Sequence, residues 1–166
     1  MALNYIKEYH SDREIPMKKQ NKITTQTEEK PQRTRHYFFL NPYNDCAFTK
    51  CPKCDNKTKT RKFPLVIHIE PHQLFVLNKT CKYCEKCDLI IGKQSDIEAL
   101  MAASIENRDP SIIGNKYLVF GTLDRNDWET YSKTPTNPNT AIDQVYVFKD
   151  VLKFELQSPG WYKDED

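Results

Sequence analysis

The chain has 166 residues, 38% of them hydrophobic and 29% charged, and a net charge of +2. That length holds one ordinary domain, or a small metal domain with a second lobe, and excludes two large domains. No stretch approaches the roughly 20 apolar residues of a membrane span, and residues 1–22 lack the apolar block of a signal peptide, so a cytoplasmic protein without membrane contact is expected.

Charge is unevenly spread: residues 1–35 carry +3, residues 36–94 carry +5 and residues 95–166 carry −6. A basic centre suits nucleic acid, whereas the opposed halves also suit mutual attraction. Residues 18–22 and 24–31 contain almost nothing apolar, and residues 1–35 are expected to be a disordered or loosely docked tail. Within them Leu3, Tyr5, Ile6 and Tyr9 suggest one short amphipathic turn.

The folded region is expected over 36–94 and 95–160, forming one compact domain, with 161–166 as an acidic tail. Tyr37–Leu40 reads as a short strand stopped by Asn41-Pro42. Phe63–Glu70 and Leu74–Asn78 are β-rich runs around the turn former Glu70-Pro71-His72-Gln73, and should pair as an antiparallel hairpin. Leu89–Gly92 would add a third strand. Ser95-Asp96-Ile97-Glu98 has the pattern of a capping box, and Ile97, Leu100, Met101 and Ile105 recur at helical spacing, so a helix should run to Asn107. Lys116–Leu123, Gln144–Phe148 and Val151–Leu156 read as strands, Tyr131–Thr140 as a loop, and Trp161-Tyr162 as a closure of the core.

Six cysteines fall between positions 46 and 87, and four form matched turns, Cys51-Pro-Lys-Cys54-Asp and Cys84-Glu-Lys-Cys87-Asp. Two Cys-x-x-Cys hooks joined by a hairpin supply the four sulfurs of a structural Zn²⁺ site, and a reducing compartment favours metal over disulfides. Cys81-Lys-Tyr-Cys84 overlaps the second hook, so Cys81 is the alternative ligand to Cys87; the repeated Lys-Cys-Asp favours Cys87. Cys46 reads as a free thiol. Asp55 and Asp88 stand where such turns commonly need a left-handed residue, which Asp tolerates. His68 and His72 are assigned to sheet and surface, since four thiols already suffice.

Residues 51–91 resemble a zinc ribbon, which implies one structural Zn²⁺ held between two knuckles on an antiparallel sheet. The expected fold class is therefore α+β: a zinc-ribbon sheet with one helix and a C-terminal antiparallel β region. Lys57, Lys59, Arg61 and Lys62, with Phe63, Tyr83 and Tyr43 as ring faces, suit phosphate contact and base stacking, so nucleic acid is the expected partner. The alternative is an adaptor that docks on a larger protein through its N-terminal tail or acidic C-terminal region. No catalytic residues are evident; a zinc hydrolase, which would need three ligands and an open position, is the lesser reading.

Overall fold

The computed structural model describes residues 33–133 and 142–156, together with the backbone of residues 3–8. Eight strands form one sheet: β1 (Leu3–Glu8), β2 (Tyr37–Asn41), β3 (Lys59–Ile69), β4 (Gln73–Cys84), β5 (Leu89–Lys93), β6 (Tyr117–Thr122), β7 (Tyr146–Val147) and β8 (Asp150–Leu156). Their spatial order is β1-β8-β2-β5-β4-β3-β6-β7. The fold is α+β, but not a wholly antiparallel sheet: β2 runs parallel to both of its neighbours, β5 and β8.

The hairpin forms as expected and is longer than its apolar runs, pairing from Lys59↔Tyr83 to Ile69↔Gln73. Strand β5 then pairs with the end of β4, Lys82↔Ile91 to Cys84↔Leu89. Residues Phe63 to Ile69 are buried at every position but His68, because both faces of β3 are covered. Phe63, Leu65, Ile67 and Ile69 share one cluster with Phe38, Ile90 and Phe148, and with Ile97, Met101 and Ile105 of helix α1 (Gln94–Ile105). Val66 faces the other way, onto Val76, Leu123 and Val145.

The sheet curls back on itself. Val147 of β7 bridges to Thr34, just ahead of β2, through Arg35 N–H to the Val147 carbonyl (2.9 Å) and Val147 N–H to the Arg33 carbonyl (3.0 Å). Between this segment and β2 the chain turns at His36, whose φ of 64° is in the left-handed region that His occupies more readily than most residues. Gly121 in β6 permits the approach of β7, because a Cβ there would collide with the Tyr146 carbonyl.

Five expectations need correction. Leu3–Glu8 is an extended strand against β8, not a helical turn, since the β8 edge offers backbone partners. Helix α1 begins without a side-chain cap at Lys93: β5 runs directly into it, and Glu98 instead accepts from Gln94 Nε2 (2.9 Å) and Tyr117 Oη (2.8 Å). The helix ends at Ile105, and Leu100 is 43% exposed rather than packed. Tyr131 belongs to a second helix, α2 (Arg125–Lys133), because Trp128 and Tyr131 reach Leu123 and Val145 one turn apart. The rest of the expected loop, residues 134–140, and the closure by Trp161-Tyr162 with the acidic tail lie outside the described residues. Among the described residues no helix is long and apolar enough to cross a membrane.

Candidate metal centre and the cleft linked to it

The hairpin explains how distant cysteines meet. Cys51 and Cys54 precede β3, while Cys84 ends β4 and Cys87 lies in the turn to β5, so both hooks sit at the same end of the β3–β4 ladder. Their four Sγ atoms lie within 4.8 Å of one another, and Cys54 Sγ is 3.5 Å from Cys84 Sγ. Tetrahedral Zn–S bonds of about 2.3 Å would place sulfurs about 3.8 Å apart. The cluster therefore fits a metal ion of zinc's size and ligand preference.

Both turns take the expected shape. Asp55 and Asp88, one residue past each second cysteine, have φ of 66° and 54°. The first turn closes through Asp55 N–H to the Cys51 carbonyl (2.8 Å) and Cys51 N–H to the Asn56 carbonyl (2.7 Å), and Lys53 N–H donates to Cys51 Sγ (3.4 Å). The Asn56 amide lowers the Cys54 thiol to about 7, whereas burial pushes Cys51 up and raises Cys87 to about 11. A bound cation would favour thiolate at all four sulfurs.

Cys81 is outside the cluster. It lies three residues from Cys84 on an extended strand and so faces the opposite side of the sheet, among Phe63, Ile90 and Ile97, where burial raises its thiol to about 12. Cys46 is half-buried and also outside the cluster; its carbonyl accepts from Asn41 Nδ2 (2.9 Å). His68 is half-buried on β3 and His72 is exposed in the turn, as expected of non-ligands.

Asp88 joins the cysteine turn to the sheet interior. Its Oδ1 accepts from Tyr83 Oη (2.6 Å) and His36 Nδ1 (2.5 Å), and its Oδ2 accepts from Lys149 Nζ (3.3 Å). Burial opposes a charge on Asp88, but the hydrogen bonds from Tyr83 and His36 outweigh it and hold the carboxyl below its usual range. For His36, 6% exposed, burial outweighs the attraction of Asp88 and lowers the pKa. The contact is thus a neutral imidazole donating to a carboxylate rather than an ion pair. The sequence marks Asp88 as a turn residue but carries no local sign of this bonding, since Tyr83 is five positions away and His36 fifty-two.

His36 opens onto a cleft of about 520 Å³ that Arg35, Arg61, Lys62, Arg125 and Trp128 also line. Arg61 and Lys62 are the two members of the expected basic run that reach it. Lys59 is paired with Glu85 (2.9 Å) and Lys57 is exposed outside the cleft. The expected stacking rings are not open platforms. Phe63 and Tyr83 are 6% and 7% exposed under the Arg61 guanidinium, at 5.5 and 5.1 Å, and Tyr43 Oη donates to the Phe154 carbonyl (2.9 Å). Sequence reasoning missed Arg35, His36, Arg125 and Trp128; the Trp128–Tyr131 spacing was the available sign of the helix that carries two of them.

No family model, curated protein or solved structure matches this chain.

Proposed function

We propose that the protein is a small binding module stapled by one structural Zn²⁺ on Cys51, Cys54, Cys84 and Cys87, with the basic end of β3 contacting nucleic acid. The observation that carries the metal reading is the meeting of four sulfurs within 4.8 Å from two separate hooks. Four thiolates complete a tetrahedral zinc and leave no position for a substrate or activated water, so the ion holds structure rather than performing hydrolysis. A ribbon-like pair of knuckles on the β3–β4 hairpin is the arrangement we assign.

Lys57, just ahead of β3, and Lys59, Arg61 and Lys62, at its start, are all exposed, which supports phosphate contact. X-ray absorption on protein purified without chelator should show one zinc with four sulfur neighbours; nitrogen or oxygen in the shell refutes a closed site. Fluorescence anisotropy with a single-stranded oligonucleotide should show affinity falling as salt rises, and charge reversal at the four basic positions should abolish it. Binding indifferent to both overturns the nucleic-acid reading.

A further inference from the structure

The cleft beside His36 is lined by more cations than carboxylates. Four cationic side chains line it, and two are locally neutralised: Arg35 pairs with Asp124 (2.8 Å) and Arg125 with Glu129 (3.3 Å). Among the described residues, neither Arg61 nor Lys62 has a carboxylate partner. Arg61 is nevertheless held in place, its guanidinium lying over Phe63 and Tyr83, so little of its freedom remains to be lost when an anion arrives.

The remaining lining is suited to something larger than an inorganic ion. Half-buried Trp128 offers a ring on α2, and exposed Asn78 adds an amide. The volume is within the range of about 300–1,000 Å³ found for small-ligand sites. His36 contributes an imidazole fixed by Asp88 and a backbone in the left-handed region, a conformation that clusters at ligand sites.

We infer that this cleft binds a phosphorylated nucleoside, with the phosphate on Arg61 and Lys62 and the base against Trp128. Two sources share that chemistry: a free mononucleotide and the 5′-phosphorylated end of a strand. The inference rests on the nucleic-acid reading in assigning Arg61 and Lys62 to phosphate, but it places the contact in a pocket rather than along an open surface. The phosphate meets two cations that no carboxylate among the described residues already pairs, and the aromatic wall adds affinity that phosphate alone cannot obtain.

Calorimetric titration of the zinc-loaded full chain with AMP and with inorganic phosphate tests this. AMP should bind about tenfold or more tightly than phosphate, and Trp128→Leu should remove about fivefold or more of that advantage. The Arg61→Gln, Lys62→Gln pair should weaken AMP about tenfold or more, and Arg61→Lys should restore part of it. Lys116→Gln, at an exposed lysine outside the cleft, should leave AMP binding unchanged. Circular dichroism melts confirm that each variant is folded. An oligonucleotide with a 5′-phosphate that binds more tightly than its 5′-hydroxyl twin assigns the site to strand ends; equal binding with AMP retained assigns it to the free nucleotide. Absence of AMP binding, or AMP binding indifferent to Arg61 and Lys62, overturns the pocket. Oligonucleotide binding that persists in that case leaves the open-surface reading standing alone.

Discussion

At the residue scale, Asp88 connects the metal turn to the interior. Its carboxylate holds Tyr83, His36 and Lys149 at once, so Asp88→Ala leaves a buried phenol and imidazole without their acceptor. The cost should be about 3 kcal/mol by urea denaturation, with Asp88→Asn costing less because an amide oxygen still accepts. His36 gives a pH prediction. Its folded pKa is lowered by burial, so the unfolded chain takes up the proton first, and stability falls as pH drops from about 6.5 through the folded value. His36→Asn, which tolerates the same left-handed backbone, should lack that component when the two proteins' pH-stability curves are compared. Among the cysteines, Cys87→Ser should lose stoichiometric zinc by elemental analysis. Cys81→Ser should retain it, because Cys81 lies on the other face of β4.

At the element scale, α1 is held by three buried residues one or two turns apart and not by its ends. Ile97, fully buried against the Phe38 cluster, should cost about 2–5 kcal/mol as Ile97→Ala, whereas Leu100→Ala should change stability by less than about 0.5 kcal/mol. Thermal melts of the two variants separate these outcomes, and equal costs would mean that the helix packs through a broader face. The hairpin was legible because a continuous apolar run around a Pro-containing turn admits few other structures. Helix α2 was not, since its sequence is polar apart from Trp128 and Tyr131, and its place is set by the Leu123–Val145 patch. The capping box at Ser95 failed for a related reason: β5 continues into α1 without a connecting residue, leaving the cap no role.

At the scale of the whole molecule, the cysteine cluster fastens one end of a sheet whose centre has its own apolar core. Chelation should therefore raise hydrogen exchange at residues 49–58 and 83–89 while β3 and β6 stay protected, and lower the melting temperature by about 10 °C or more. Uniform loss of protection would mean that the core cannot stand without the ion. The sequence by itself determined Cys51, Cys54 and Cys84 and the hairpin that joins them, because Cys-x-x-Cys turns and apolar runs are local devices, but it left Cys81 beside Cys87 for the fourth place, which the face of β4 decided. The tertiary structure alone decided that β2 lies between β5 and β8 and that β7 meets the chain at Thr34. It also brought His36, Arg61 and Trp128 to one cleft. Those contacts join segments up to 113 positions apart, and no local periodicity encodes which strand edges find one another.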